Sequence, residues 1–169
     1  IITPCYNGEN VMHRLLDSIL SQTYSNIEFI LINDGSTDHS EEIWYQYEKK
    51  FNEKGIKTIY IHQRNQGLGA AINAGLKVFT GDYLCWPDID DYFEDTSVEK
   101  RVNFLETHKE YGSVSSDANQ YMEDNLSEPV GTMASWLKHK EDEWQFEWLL
   151  KGQSLFCPGC HMLRTTSFL

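Results

Sequence analysis

The sequence contains few basic residues for its acidic content, and it has no apolar run long enough to cross a membrane. Lysine and arginine total 14 against 26 aspartates and glutamates, which gives a formal net charge of −12. This charge argues against nucleic acid or an anionic membrane surface as the main partner. The amino terminus also has no basic segment followed by a hydrophobic one, as a signal peptide would. We therefore expect a cytoplasmic protein without a transmembrane segment.

Cysteine is scarce, and its spacing does not indicate a disulfide framework. Four cysteines occur, at positions 5, 85, 157 and 160, and in a domain of ordinary size they predict reduced thiols. The segment Cys157-Pro158-Gly159-Cys160-His161 matches the attachment pattern of c-type haem and half of a zinc site. Zinc would need further ligands, and haem attachment would need an export route. We favour structural residues in a turn and a strand, with a metal or redox protein as the minor alternative.

Three common catalytic motifs are absent from the sequence. It contains no phosphate loop ending in Gly-Lys-Ser or Gly-Lys-Thr and no Gly-x-Ser-x-Gly nucleophile elbow. Gly67-Leu68-Gly69 opens a predicted helix, but Ile72 stands where a dinucleotide fingerprint requires glycine. P-loop phosphoryl transfer, serine hydrolysis and Rossmann-type dehydrogenation therefore lose their main support.

Apolar runs alternate with amphipathic segments over most of the chain. Four runs predict strands that end near residues 3, 32, 62 and 86, and segments with apolar residues at helical spacing separate them. Repeating units of roughly thirty residues predict an α/β fold, with a mostly parallel, Rossmann-like sheet flanked by helices in three α/β/α layers. The length of 169 residues favours a single domain.

Capping residues predict where the helices begin and end. Asn10 is a candidate N-cap of the first helix, and Asp38 with Glu41 is a candidate capping pair of the second, which we expect to end at Gly55. Beyond residue 95 the pattern predicts another helix, a strand near 113–116, a polar irregular segment over 119–135 and a helix over 141–150.

Acidic residues follow directly after the apolar run at 83–86. Asp88, Asp90 and Asp91 would lie at the carboxyl end of the fourth strand, where open α/β sheets bind their ligands. Carboxylate oxygens suit magnesium or manganese, and such an ion leaves positions free for substrate phosphates. On its own, however, the cluster would more often be a solvated acidic turn.

Three other polar loops are predicted at the same end of the sheet. They contain Tyr6 and Asn7 after the first strand, Asp34 after the second, and Arg64 with Gly67 after the third. Tyr6 could offer an aromatic face, Asp34 could accept hydrogen bonds from a nucleobase, and Arg64 could contact a phosphate. Each could equally be structural or solvated, but together they predict one binding crevice.

The ordered series of motifs closely resembles the family two glycosyltransferases of GT-A fold. The series consists of Pro4-x-Tyr6-Asn7, Asn33-Asp34-Gly35-Ser36-Thr37-Asp38, Asn65-x-Gly67-x-x-x-Ala71-x-Asn73-x-Gly75, and Gly81-Asp82-Tyr83-Leu84 leading to Asp88-x-Asp90-Asp91. It is more specific than any single motif. The resemblance implies a donor-binding part at 1–118 and the start of an acceptor-side part at 119–169, in a domain that we expect to be incomplete at both ends.

The resemblance also implies an activity. A sugar would be transferred, with inversion, from a nucleotide-diphosphate donor, with UDP-sugar favoured, to a hydroxyl of a saccharide or lipid-linked acceptor in bacterial surface polysaccharide biosynthesis. Such an enzyme would work in the cytoplasm and could lie peripherally at the inner face of the membrane. The alternative is a nucleotide-sugar-binding module without transfer activity.

The resemblance assigns roles by position. Residues implied to bind the nucleotide sugar are Pro4, Tyr6, Asn7, Asp34, Arg64, Gly67 and Asp88. The carboxylates implied to bind Mn²⁺ or Mg²⁺ are those of Asp88, Asp90 and Asp91, and the cation would neutralise charge on the departing diphosphate. Asn33 departs from the family pattern, which commonly has an acid there. The family's catalytic base follows the region 157–164, so we expect it beyond Leu169 and assign none within this chain.

Overall fold

The computed structural model describes residues 1–122, 125–132 and 158–167, and alternating strands and helices make up most of the described chain. The described strands are β1 (Ile2–Cys5), β2 (Glu28–Asn33), β3 (Lys57–His62), β4 (Tyr83–Leu84), β5 (Ser113–Ser115), β6 (Asn119–Gln120), β7 (Gly131–Thr132) and β8 (His161–Arg164). The described helices are α1 (Met12–Leu20), α2 (Ser40–Lys54), α3 (Leu68–Leu76) and α4 (Ser97–Thr107). The helix expected over 141–150 lies outside the described residues.

The first three strands form a parallel sheet in the order β1-β2-β3. A second, antiparallel sheet has the order β4-β8-β5. The N–H of Ile2 donates to the carbonyl of Cys85 at 3.0 Å, so β4 lies beside β1 and the two sheets are joined there. The prediction of an α/β fold with a parallel sheet is confirmed, although the fourth strand is shorter than expected.

Helices cover both faces of the parallel sheet. Phe29 and Leu31 belong to a buried cluster that includes residues of α1, α2 and α4. Ile30 and Ile32 belong to a second cluster with Ala71 of α3. Successive side chains of a strand point to opposite faces, and a strand covered on both sides needs apolar residues throughout. The apolar run in β2 therefore produces the three-layer arrangement that the sequence predicts.

Of the two predicted N-caps, Asn10 is wrong and the pair of Asp38 with Glu41 is formed only in its Asp38 half. The N–H groups of Val11 and Met12 both donate to the carbonyl of Gly8, at 3.0 and 2.9 Å, and no side chain caps α1, so Asn10 has no capping role. His39, which directly precedes α2, makes no side-chain cap, but Oδ1 of Asp38 accepts the N–H of Ser40, the first residue of α2, at 3.0 Å. Glu41 instead accepts a hydrogen bond from Tyr60 of β3 at 3.0 Å. At α1 a local backbone turn closed on Gly8 replaces the predicted cap, and at α2 a tertiary contact to Tyr60 replaces the Glu41 half of the predicted pair.

The expected end of α2 at Gly55 is confirmed. Gly55 has φ of 76°, in the left-handed region that closes helices, and its N–H donates to the carbonyl of Asn52 at 3.0 Å. Downstream, α4 and β5 form where the sequence predicts them. In the described part of the segment that was expected to be irregular, over 119–122 and 125–132, β6 pairs antiparallel with β7.

The segment after residue 157 contains a turn followed by a strand, as the sequence analysis favoured. Pro158–Cys160 forms a 3-10 turn and His161 begins β8, with Cys160 and His161 both buried. Cys157 lies outside the described residues. None of the described helices is both long and apolar enough to cross a membrane.

Candidate functional site

The loops that follow the first four strands meet in one cavity of about 480 Å³. Parallel strands end at the same edge of a sheet, which is why loops distant in sequence come together here. The lining residues are Pro4, Cys5, Tyr6, Val11, Asp34, Asn65, Gly67, Leu68, Asp88, Ile89 and Asp90. Of the predicted residues, Asn7, Arg64 and Asp91 are not among those that line this cavity.

Gly35 allows the loops after β2 and β3 to approach each other closely. It has φ of +75°, and a Cβ added there would lie 2.8 Å from the backbone nitrogen of Asn65. Only glycine satisfies both the left-handed backbone and this contact. The sequence Asp34-Gly35 therefore places a carboxylate directly under the loop over 63–67.

Asp34 is buried, and its carboxylate organises that loop. It accepts hydrogen bonds from the side-chain amide of Gln63 at 2.7 Å and from the backbone N–H groups of Gln66 and Gly67 at 3.0 and 2.9 Å. Burial alone would raise the pKa of Asp34, but these three donors outweigh it and hold the pKa below its ordinary value. The carboxylate is thus held ionised beside the cavity.

Asn7 ties the loop after β1 to the loop after β2. Its backbone N–H donates to Oγ of Ser36 at 3.0 Å, and its side-chain oxygen accepts the N–H of Thr37 at 2.8 Å. Its φ is 53°, a left-handed value that asparagine tolerates better than most residues. The structure thus gives Asn7 a part in shaping the cavity rather than in lining it.

Two of the predicted contact residues, Tyr6 and Arg64, are exposed at this edge of the sheet. Tyr6 is 53% exposed and lines the cavity, so its ring is accessible to a ligand. Leu68, also a lining residue, is 57% exposed. Arg64 is exposed on the loop before Gly67 but is not among the lining residues.

The acidic loop, residues 87–91, forms a tight turn after β4. The N–H of Asp91 donates to the carbonyl of Asp88 at 3.1 Å, and the N–H of Asp88 donates to Oδ2 of Asp91 at 3.3 Å. Burial, and secondly the negative charge of Asp90, raise the pKa of Asp88. Burial likewise raises the pKa of Asp91. Crowded carboxylates of this kind are stabilised in their charged form by a nearby cation.

The oxygen donors of the acidic loop suit a hard divalent cation. Asp88 and Asp90 both line the cavity, and carboxylates are the ligands that Mg²⁺ and Mn²⁺ prefer. Among residues 1–122, 125–132 and 158–167, no three His, Cys, Asp or Glu side chains are grouped to hold a metal ion. A cation bound here would therefore take further ligands from water or from a bound molecule.

A second cavity, of about 790 Å³, adjoins the first and shares Val11 and Asp90 with it. Tyr92 and Tyr121 both line it, with ring centroids 6.0 Å apart. Asp91 lines this cavity rather than the first. Asp90 therefore stands between two spaces, one bounded by the strand-end loops and one bounded by aromatic and polar side chains.

Sequence reasoning missed several lining residues. Val11, Leu68 and Ile89 are apolar, and their spacing is that of ordinary core residues, so no local signal identifies them. Asn65 belongs to the motif series and could have been named. Tyr92 follows the acidic residues immediately, whereas Tyr121 reaches the second cavity only through tertiary folding.

Comparison with known proteins gives a family match over the whole chain. The model of Glycosyl transferase family 2 matches residues 1–169. The chain is similar to Glycosyltransferase GlyA of Streptococcus pneumoniae serotype 4, with 48% identity over 99 residues, which cover 59% of this chain and 14% of that protein. The chain therefore spans only a small part of this relative's length.

Solved structures share the fold. Staphylococcus aureus TarS in complex with UDP matches 98% of this chain and 46% of its own, with a TM-score of 0.66 and 20% identity. The mannosyltransferase PcManGT from Pyrobaculum calidifontis, in complex with GDP-Man and Mn²⁺, matches 70% of this chain and 34% of its own, with a TM-score of 0.64 and 21% identity. At these identities the similarity establishes a shared GT-A fold.

Proposed function

This chain belongs to glycosyl transferase family 2, and from that membership we propose that it binds a nucleotide-diphosphate sugar and transfers the sugar, with inversion, to an acceptor hydroxyl. The observation that carries the proposal is the convergence of Tyr6, Asp34 and the acidic loop on one cavity. The UDP bound by TarS and the GDP-Man bound by PcManGT support a nucleotide-sugar ligand. We favour a UDP-sugar.

The nucleoside end of the donor would lie between the loops after β1 and β3. The accessible ring of Tyr6 is suited to stacking on a base, and Asp34 has one acceptor position left for a base N–H after its three bonds to the protein. Pro4 and Gly67 line the same space. Asn7 would act by positioning these loops. The exposed Arg64 stands on the loop that carries Gly67, and we propose that it contacts a phosphate.

The diphosphate end of the donor would lie over the acidic loop. We propose that Asp88 and Asp90 hold Mn²⁺ or Mg²⁺ there, with Asp91 as a third candidate. These residues suit a divalent cation because their carboxylate oxygens are crowded together at the wall of the cavity. The ion, when bound, would neutralise negative charge on the departing diphosphate. The Mn²⁺ in the PcManGT complex supports a divalent cation.

The second cavity is the proposed place of the acceptor. It shares Asp90 with the donor cavity, and its tyrosines could stack on a sugar ring. A saccharide or lipid-linked acceptor fits a role in bacterial surface polysaccharide biosynthesis, at the cytoplasmic face of the membrane. The base that accepts the acceptor's proton must lie within hydrogen-bond reach of the attacking hydroxyl, and we expect it beyond Leu169.

The proposal is tested by calorimetric titration of UDP and of GDP into the chain, with and without Mn²⁺. UDP should bind in a Mn²⁺-dependent way, and Asp90→Ala should abolish that dependence. Asp82→Ala is the matched control, because Asp82 is exposed and lies outside both cavities. Failure of the folded chain to bind either nucleotide would overturn the donor site. Because we expect the base beyond Leu169, the binding-module alternative is tested on the full-length protein, where nucleotide binding without turnover of UDP-hexoses would favour it.

A further inference from the structure

Gly159, far from the acidic loop in sequence, packs directly against it. A Cβ added at Gly159 would lie 2.8 Å from Oδ2 of Asp91 and 3.6 Å from Cα of Pro87. Carbon atoms essentially never approach so closely, so the Asp91 side chain would have to move. A methyl group here would displace the Asp91 carboxylate, whereas the 3.6 Å distance to Pro87 leaves ordinary van der Waals room.

Arg101 of α4 holds the turn that contains Gly159. It is only 3% exposed, and Nη1 donates to the carbonyls of Gly159 at 3.0 Å and of His161 at 3.4 Å. Its other nitrogens donate to the backbone oxygen and the hydroxyl of Ser97, at 3.2 and 3.1 Å. A buried charge is costly unless it is well hydrogen-bonded, and the fixed fork of a guanidinium can meet several carbonyls at once.

Arg101 also contacts the chain just after the acidic loop. Its guanidinium carbon lies 4.9 Å from the ring centre of Phe93, and the N–H of Phe93 donates to the hydroxyl of Ser18 on α1 at 3.0 Å. The acidic loop is thus held on one side by the Gly159 turn and on its carboxyl side by Phe93. Arg101 touches both supports.

The geometry points to Arg101 and Gly159 as positioning residues for the metal-binding carboxylates. Arg101 fixes the Gly159 turn, the turn lies against the side chain of Asp91 and limits the room for its carboxylate, and Oδ2 of Asp91 accepts the N–H of Asp88. Asp91 thereby acts as a brace for Asp88. This inference rests on the proposed function, because it assumes that Asp88 and Asp90 hold a cation for the donor diphosphate.

Gly159→Ala is the most direct test, because it adds one methyl group beside Asp91. It should weaken Mn²⁺-dependent UDP binding by about tenfold or more, the usual cost of disturbing the support of a metal ligand. UDP binding without metal should not change. Gly69→Ala is the matched control, since a Cβ at Gly69 has no other atom within 4 Å. Thermal unfolding of each variant reports whether the fold is retained.

Arg101→Lys and Arg101→Met separate charge from geometry. Lysine keeps the charge but cannot bond two carbonyls and Ser97 together, so both variants should lose Mn²⁺-dependent affinity to a similar extent. Lys100→Met, on the exposed side of α4, is the control for removing one positive charge. Full affinity in Arg101→Lys would show that charge alone acts and would overturn the positioning role.

A double-mutant cycle tests the path through Asp91. In an Asp91→Ala background, the added methyl group at position 159 has no carboxylate to displace, so Gly159→Ala should have little further effect. An equal effect in both backgrounds would contradict the inference, as would a folded Gly159→Ala with wild-type Mn²⁺-dependent affinity. Absence of Mn²⁺-dependent UDP binding in the wild type would instead contradict the proposed function, which keeps the two failures distinct.

Discussion

Asp34 illustrates how a single buried carboxylate can serve a binding loop. Three donors from residues 63–67 converge on it, two of them from the backbone. These bonds stabilise the conformation of the loop, because a hydrogen bond to a charged group contributes about 1.5–3 kcal/mol. Any direct role of Asp34 in base binding is therefore combined with a structural one.

Asp34→Asn should destabilise the folded protein by about 1–3 kcal/mol near neutral pH, because the new amide group would face N–H donors. The folded-state pKa of Asp34 lies below its ordinary 3.8, so its stabilisation is complete above about pH 4 and declines as pH falls through the folded pKa. Urea denaturation from pH 3 to pH 7 should show the difference between variant and wild type shrinking on acidification. A difference that grows at low pH would contradict this account, and Asp82→Asn serves as the exposed control.

Tyr6 offers a prediction that separates binding from stability. The ring is half exposed, so Tyr6→Ala should leave the unfolding midpoint nearly unchanged but should weaken UDP binding, because base stacking on an aromatic ring is worth about 1–3 kcal/mol. Tyr6→Phe keeps the ring and should bind UDP almost as well as the wild type. Calorimetry on the three proteins checks this. Equal loss in both variants would point to the hydroxyl instead of the ring.

At the scale of elements, α3 packs on the sheet through a glycine. A Cβ at Gly75 would lie 2.6 Å from Cγ2 of Ile2 and 3.0 Å from Cδ1 of Ile32. These isoleucines belong to the buried cluster under α3. The distance between helix and sheet is thus set by the absence of a side chain at Gly75, and the amino end of α3 carries the cavity-lining residues Gly67 and Leu68.

Gly75→Ala should therefore lower the free energy of unfolding by about 1–3 kcal/mol, the usual cost of overpacking a core. Gly69→Ala in the same helix has open space and should stabilise the protein by up to about 1 kcal/mol, because alanine favours the helix. Chemical denaturation of both variants gives the comparison. A stabilised Gly75→Ala would mean that α3 can move away from the sheet at no cost.

The sequence predicts the elements better than their ends. The apolar run in β2 must be buried on both faces, so its place in a parallel sheet follows from the pattern alone. The caps follow only in part, because Asp38 accepts the N–H of Ser40 as a cap would but also that of Glu9 from another loop at 2.9 Å, and Glu41 bonds Tyr60. Local capping rules cannot anticipate partners that lie tens of residues away.

In the candidate site, too, some features can be predicted from the sequence and others depend on tertiary contacts. The edge of the sheet where Tyr6, Asp34 and Asp88 meet can be predicted, because strand ends follow from the apolar pattern. The supports cannot be predicted, because Arg101 and Gly159 meet only after α4 and β8 have packed together. The contact of Gly159 with Asp91 joins positions 68 residues apart.

At the scale of the whole molecule, an acidic protein is proposed to bind an anionic donor. The net charge of −12 would repel a nucleotide diphosphate. Placing Asp88 and Asp90 at the cavity wall strengthens that repulsion unless a cation is present, and with the cation the same carboxylates become part of the binding site. Nucleotide affinity should therefore depend on the metal more strongly than on any single side chain of the pocket.

The most direct test of this claim is the thermal unfolding midpoint measured in four conditions: the chain alone, with Mn²⁺, with UDP, and with both. Ligands that bind one site cooperatively stabilise the folded state by more together than the sum of their separate effects. We predict a rise with both ligands that exceeds that sum and that disappears in Asp90→Ala. A UDP shift that is independent of Mn²⁺, or no shift in any condition, would contradict the account.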